Sequence, residues 1–288
     1  MVPVAANLSV RAEAMSGHTR AVTSAILHEA LAPLRKDPSR SAILLDIDGT
    51  LAPIVDHAAD AHVPEGTRQI LIEIAKRYGV VACVSGRRAS ESRAMVSIGT
   101  ISYLGSHGAE LLRAGWTEPA LDPGIEDWTR RISEFAREAD TPDLRRSRVR
   151  IEDKGAIVAF HWRGAPDEAA ARAAIDALAA RAGEGGLRTH WGRKVLEVRP
   201  PVKLDKGAGI ISFLQGANVD VALYVGDDAT DVDAFRGLTQ LVEEGRLMQA
   251  IRVGVSSEET PSAVAEEADL IVDGTDGVRE LLAVLIAD

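Results

Sequence analysis

The chain has 288 residues, enough for one domain or two. Hydrophobic residues make up 46% of it and charged residues 26%, the profile of a globular protein that folds in water. Its 43 acids against 33 bases leave a net charge of −10, which argues against a general nucleic-acid or membrane-surface binder but allows a local basic pocket for an anion.

From the N-terminus, residues 1–20 read as a loose tail without the continuous apolar stretch of a secretory signal. Thr23 to Leu34 has the spacing of an amphipathic helix, and 36–40 is a polar link. Ala42 to Leu45 is an apolar run of strand length that stops at Asp46, with Asp48, Gly49 and Thr50 behind it. Residues 52–62 read as loop. Pro64 opens a helix that Gly79 ends, followed by a strand at Val80 to Val84, a helix from Ala89 and a strand at Ser102 to Gly105. These strands end in Asp46, in Ser85-Gly86-Arg87 and in Ser106-His107-Gly108. Alternating strands and helices predict a parallel sheet with right-handed crossovers.

The pattern then changes. A strand at 110–113 and a helix at 123–139 precede two strands, 148–153 and 156–162, joined at Lys154-Gly155, a hairpin signal. An alanine-rich helix at 167–181 and a strand pair around Gly192 complete this stretch. Strands joined by tight turns imply a mainly antiparallel sheet with helices on one face. We read 112–198 as a small α+β domain inserted into a core of 41–111 and 199–288, with 1–40 as tail and helix. The first pattern resumes with a helix at 206–214, a strand at 221–225 ending in Gly226-Asp227-Asp228-Ala229-Thr230-Asp231, a helix over 232–235, strands at 249–253 and 269–272, and a final helix at 277–286. No run of about eighteen apolar residues occurs, so no membrane span is expected. The single cysteine, Cys83, rules out an internal disulfide and suits a reducing, cytoplasmic setting.

In a parallel sheet the strand ends share one edge, so Asp46 and Asp48 can meet Asp227, Asp228 and Asp231 there. That many carboxylates repel without a cation, and oxygen donors suit a hard ion such as Mg2+. One carboxylate could also attack phosphorus. Ser85 and Lys206 each stand at a helix start, where an anion is favoured. Each residue also has a plainer reading: an Asp-Gly turn, acids at a helix N-terminus, a serine cap, a solvated lysine.

These segments, in this order, resemble the four motifs of the haloacid dehalogenase-like (HAD) phosphatases: Asp46-Ile47-Asp48-Gly49-Thr50, then Ser85, Lys206 and Gly226 to Asp231. An insert between the second and third resembles that superfamily's C2-type cap. Val84 to Arg87, Gly105 to Glu110, Ile151 to Gly155, Ala159 to Arg163 and Val195 to Pro200 further resemble the trehalose-6-phosphate phosphatases. One departure is Val232, where that family usually has Glu; another is Val202-Lys203-Leu204.

The resemblance implies a Rossmann-like HAD core with an α+β cap, and hydrolysis of trehalose 6-phosphate through an aspartyl-phosphate, the last step of trehalose biosynthesis. It implies Asp46 as nucleophile, Asp48 as acid and base, Thr50, Ser85 and Lys206 around the phosphoryl group, and Mg2+ held by Asp46, the Asp48 carbonyl and Asp227 with Asp228 or Asp231 in support. Arg87, His107, Glu110, Glu152, Lys154, Lys194 and Glu197 are the expected sugar contacts. His161 and Arg163 read equally as the polar face of a cap strand. A trehalose-6-phosphate synthase is the implied pathway neighbour. The alternatives are another capped sugar phosphatase, such as one for sucrose phosphate, or a non-catalytic sugar-phosphate sensor.

Overall fold

Apolar residues of β1 (Ser41–Leu45) alternate between two cores, and this organises the larger part of the molecule. Ile43 and Leu45 pack into one hydrophobic cluster, Ala42 and Leu44 into another on the opposite face. All five residues of the strand are buried, as a central parallel strand requires. The computed structural model describes residues 23–55, 61–121, 123–192, 194–202, 205–258 and 260–287, without the side chains of residues 123 and 124. The expected tail at 1–20, part of the 52–62 loop and the departure at Lys203-Leu204 therefore lie outside the described residues.

Helix α1 (Ser24–Lys36) precedes β1; α2 (Glu65–Arg77) leads to β2 (Val80–Val84), and α3 (Ala89–Val96) to β3 (Ser102–Gly105). Two short strands, β4 (Glu110–Leu112) and β5 (Ala120–Leu121), add antiparallel to the edge beyond β3. The chain then leaves this sheet. It returns through α7 (Lys206–Leu214), β10 (Val221–Gly226), α8 (Ala229–Glu243), β11 (Gln249–Ser256), α9 (Ser262–Glu267), β12 (Leu270–Asp273) and α10 (Gly274–Ile286). The order across the sheet is β12-β11-β10-β1-β2-β3-β4-β5, parallel from β12 to β3. Helices α1, α2 and α10 cover one face and α7 and α8 the other. The strand order reverses between β1 and β10, and the crevice at such a point is where doubly wound sheets bind ligands.

The stretch between leaves and return holds α4 (Pro123–Ala139), α5 (Pro142–Arg146), β6 (Arg150–Asp153), β7 (Val158–His161), α6 (Glu168–Glu184), β8 (Arg188–Gly192) and β9 (Val195–Arg199). Its four strands form a separate antiparallel sheet in the order β6-β7-β9-β8. Phe160, Leu196 and Val198 point to a cluster shared with Ile132, Phe135 and Ile175 of α4 and α6. By alternation, Glu152, Ala159, His161, Glu197 and Arg199 point to the other face. The mixed α/β architecture with a large, mostly parallel sheet is the one expected. Three short elements were not: β5, α5 and α9. Among the described residues no helix is long and apolar enough to cross a membrane.

Candidate active site

Both halves of the acidic constellation sit at the switch point. Asp46 follows β1 directly, and its N–H donates to the Val225 carbonyl of β10 at 2.9 Å. Asp227 follows β10. The Asp48-Gly49-Thr50 turn doubles back so that Thr50 donates its hydroxyl to Asp227 Oδ1 at 2.9 Å. Gly49 takes φ +82°, and a Cβ there would lie 2.2 Å from Asp227 Oδ2. Only glycine permits both the left-handed backbone and that carboxylate.

Asp46, Asp227 and Asp231 are all buried, and one oxygen of each lies within 4.8 Å of the others. Lys206, 2% exposed at the start of α7, reaches between them, with Nζ donating to Asp46 Oδ1 at 2.8 Å and Asp231 Oδ1 at 2.7 Å. Burial alone works against the Lys206 ammonium, but Asp231 and Asp46 outweigh it and hold its pKa above the ordinary lysine value. Burial pushes Asp46 well above the usual carboxylate range, against the pull of Lys206. Asp227 is pushed up to about 6, by burial first and then by Asp231 and Asp228. One ammonium thus faces three acids, and the site holds more negative charge than it neutralises.

The remaining acids are not equivalent. Asp228 caps α8: its Oδ1 accepts the N–H of Thr230 at 2.7 Å and of Asp231 at 3.2 Å. Asp231 Oδ2 accepts the N–H groups of Asp227 and Asp228, at 2.8 and 2.9 Å. Its Oδ1 accepts Lys206 and the Tyr224 hydroxyl. Val232, the departure from the family pattern, is simply part of the core under α8.

Ser85 ends β2 buried, and its Oγ accepts the Arg87 N–H at 3.1 Å. The Arg87 guanidinium grips Asp48 with two bonds of 2.7 Å, Nε to Oδ2 and Nη2 to Oδ1. The turn after β3 is strained: Ser106 and His107 take φ of 50° and 57°. It lays the His107 ring against Gly86, where a Cβ would meet Cε1 at 2.8 Å. Burial, then Lys206 and Arg199, lower His107 to about 4, so the ring is neutral at physiological pH.

The β6–β7 hairpin of the second sheet rests on this edge. Ser106 Oγ donates to the Lys154 carbonyl at 3.0 Å, and Arg88 pairs with Asp153 at 2.7 Å. Lys154 Nζ lies 3.3 Å from Glu197 Oε1, and Arg199 binds Glu197 Oε2. Burial tends to raise Glu197, but Arg199 and Lys154 outweigh it and hold it below the ordinary range. Glu152 is engaged within the second sheet, its Oε2 2.8 Å from His161 Nε2. Glu110 is buried in the seam between the sheets, accepting the Ala89 N–H at 2.9 Å beneath Gly155.

Of the residues singled out by sequence, Asp46, Asp48, Thr50, Ser85, Arg87, His107, Lys206, Asp227, Asp228 and Asp231 gather at one sheet edge. Lys154 and Glu197 are brought over it from the second sheet. Lys194 is not: it lies in the β8–β9 turn, at the end of that sheet away from the Lys154 hairpin, paired with Glu168 at 2.7 Å. Sequence reasoning passed over Arg199 and Tyr224. Arg199 stands inside the quoted Val195 to Pro200 match and carried a signal; Tyr224 read only as an apolar strand residue.

Such an arrangement offers a carboxylate with an ammonium at its side, a second carboxylate two residues on, and all-oxygen donors for a hard cation. Those are the parts of a phosphoryl-transfer centre. The sequence model of the family described as trehalose-phosphatase matches residues 44–276. The chain belongs to the trehalose-phosphatase family. It is 33% identical to a trehalose-phosphate phosphatase of Mycobacterium marinum, over 79% of this chain and 60% of that one. It is 31% identical to an uncharacterized glycosyl hydrolase of Mycobacterium tuberculosis, over 68% of this chain but 15% of that one. The chain therefore spans less than two thirds of the length of these two relatives. Among solved structures, a trehalose-6-phosphate phosphatase related protein superposes with a TM-score of 0.62 at 25% identity, covering 84% of this chain and 95% of that one.

Proposed function

We propose that this trehalose-phosphatase family member hydrolyses trehalose 6-phosphate to trehalose and phosphate. The observation that carries the reading is the buried Asp46–Lys206–Asp231 bridge at the sheet's switch point, two residues from Asp48 and beside Asp227. Asp46 attacks phosphorus and the P–O bond to the sugar breaks, giving an aspartyl-phosphate and a sugar hydroxyl. Asp48 supplies the proton to the departing oxygen, then takes one from the water that cleaves the aspartyl-phosphate. Lys206 and Ser85 steady the phosphoryl oxygens.

In the structure both Asp48 oxygens accept from Arg87. The pair must part, freeing one oxygen to carry a proton, before Asp48 can protonate the leaving group.

The insert acts as the cap in this reading, taken from α4 to Arg199 rather than as 112–198, because β4 and β5 pair with the first sheet and β9 of the second ends at Arg199. Lys154, Glu197 and Arg199 approach the cleft from it and supply contacts for a hydroxyl-rich sugar, with Glu152 oriented by His161. Glu110 serves as part of the seam, and Lys194 has no place in it. Release of inorganic phosphate from trehalose 6-phosphate, compared with sucrose 6-phosphate, tests the substrate.

The cation is Mg2+ in this reading. The donor set fits it: Asp46 and Asp227 are buried oxygen donors whose pKa values are raised by burial first and by the neighbouring acids after it. Asp46 and Asp227 would hold it, while Asp231 is already spent on four donors. Bound there, it would neutralise charge on the transferring phosphoryl group. A pH effect follows. Asp227 titrates near its ordinary 3.8 unfolded and at about 6 folded, so the folded chain takes up a proton in between. Its contribution to stability is full below the unfolded value and lost as pH rises through the folded one. At about pH 7.5 it is a buried anion that a cation relieves. Mg2+ should therefore raise Tm clearly at about pH 7.5 and little at about pH 5. Equal shifts at both pH values would count against Asp227 as a ligand.

A further inference from the structure

We infer that Tyr224 is a positioning residue for the reaction, acting through Asp231 on Lys206. The inference rests on the reading of the site as a phosphatase centre.

Tyr224 lies in β10, two residues before the acidic turn, and is fully buried. Its ring packs edge-on against Phe235, with centroids 5.9 Å apart at 84°. Packing alone would be served by phenylalanine. A hydroxyl at such a depth costs stability unless it is bonded. It is bonded once, donating to Asp231 Oδ1 at 2.6 Å.

Asp231 is where the site is fastened together. Its carboxylate is fully buried and lies over the backbone of Gly226, where a Cβ would meet Asp231 Cγ at 2.2 Å. A carboxylate accepts about four hydrogen bonds, and this one has four donors. Two are the N–H groups of Asp227 and Asp228, which set the direction of the acidic turn. The others are Lys206 Nζ and the Tyr224 hydroxyl. The two N–H groups fix Oδ2. Oδ1 is fixed only by a flexible ammonium and by the phenol on its rigid ring.

The consequence concerns Lys206. A lysine ammonium sits on a four-carbon stem and has no directional preference of its own. Here it is shared almost evenly, 2.8 Å from Asp46 and 2.7 Å from Asp231. Tyr224 occupies one acceptor site of Oδ1 and so limits how much of the ammonium Asp231 can claim. Without that hydroxyl, Oδ1 has Lys206 as its only donor, and the ammonium moves from Asp46 towards Asp231. The charge then stands away from the phosphoryl oxygens when they need it. Ground-state binding of the sugar is untouched.

Tyr224→Phe tests this, since it deletes one oxygen and keeps the ring. With the full chain and Mg2+, we expect kcat to fall about tenfold, the scale of other supporting hydrogen bonds around reactive groups. KM should hold, and the loss should be the same on trehalose 6-phosphate and on p-nitrophenyl phosphate, because the effect lies beneath the reacting group. Phe235→Leu is the counterpart: it opens the same packing but leaves the hydroxyl, so Tm should fall with kcat near that of the wild type. An unchanged kcat in Tyr224→Phe would overturn the inference. So would losses of kcat that follow Tm alike in both variants, which would make Tyr224 a packing residue. A wild-type chain inactive on both phosphates would overturn the phosphatase reading together with this one.

Discussion

Asp46→Asn should abolish turnover while leaving the chain as stable as before, or more so. The change is nearly isosteric, and the amide oxygen can still accept from Lys206 Nζ, now 2.8 Å from Asp46 Oδ1. What it loses is the negative charge and the nucleophilic oxygen. Removing the attacking group should lower kcat by about 10⁴-fold or more, leaving only what binding and charge placement supply. The stability side has its own logic. Burial already pushes Asp46 above the usual carboxylate range, and Asp231 and Asp227 add to that. A neutral group in its place relieves three crowded acids, so Tm without added metal should hold or rise. Steady-state kinetics and a melting curve on the same preparation check both halves. Near-native kcat would remove Asp46 from the chemistry. A large drop in Tm would mean that lost activity came from lost fold.

Lys206→Met should damage both activity and stability. The methionine fills a similar volume on α7 but leaves Asp46 and Asp231 without their shared ammonium. Breaking a buried pair by removing one partner costs about 3–5 kcal/mol, because the other charges remain buried. Here two acids are abandoned at once, and protonation of one of them offsets part of the cost. Turnover should fall by about 10²–10³-fold, the scale for removing one preorganised group at developing charge. Mg2+ should recover some stability and no rate. Denaturant melts with and without Mg2+, beside kcat, read this out; a variant as stable as the wild type would mean the bridge carries little of the fold.

The contrast between these two variants follows from sign alone. One removes a charge from the crowded side, the other from the scarce side. That charge balance was partly legible in the sequence, because an apolar strand that stops at Asp46 and another that stops at Asp227 must end at one sheet edge if the sheet is parallel. The alternation of Ile43 and Leu45 with Ala42 and Leu44 identifies β1 as covered on both faces, and the hairpin at Lys154-Gly155 is signalled by its glycine, found at φ +83°. Short elements were less legible. β5 has two residues and exists by pairing with β4, a contact that no local pattern announces. α5 carries its signal in Thr141-Pro142, with the Thr141 side chain accepting the Leu144 N–H, but five residues show no period.

Partners were the least legible part. Arg87 reads as a cation for a substrate, yet its planar fork matches Asp48, 39 residues away in the chain. Glu110 reads as a sugar ligand, yet the start of α3 uses it as a cap. Lys194 stands just before the quoted Val195 to Pro200 match, but register places it at the far end of β9 from Arg199. Asp231 looks like one more acid in a metal cluster until its donors are counted, and those come from β10, α7 and the turn between β10 and α8. Residue types announce chemistry; which groups are already satisfied is set by tertiary structure.

The central claim is that the core performs phosphoryl transfer and the insert selects the sugar. The measurement that tests it most directly is kcat/KM for trehalose 6-phosphate, sucrose 6-phosphate and p-nitrophenyl phosphate, with Mg2+, for the wild type and Glu197→Ala. The wild type should prefer trehalose 6-phosphate. Glu197→Ala removes a half-buried carboxylate that also orders Lys154 and Arg199, so it should lower kcat/KM for trehalose 6-phosphate by about 10–100-fold, the worth of a charged hydrogen bond. The aryl phosphate never uses those groups, so its kcat/KM should stay near the wild-type value. Hydrolysis of the aryl phosphate without any release from trehalose 6-phosphate, or equal losses on both, would contradict the account.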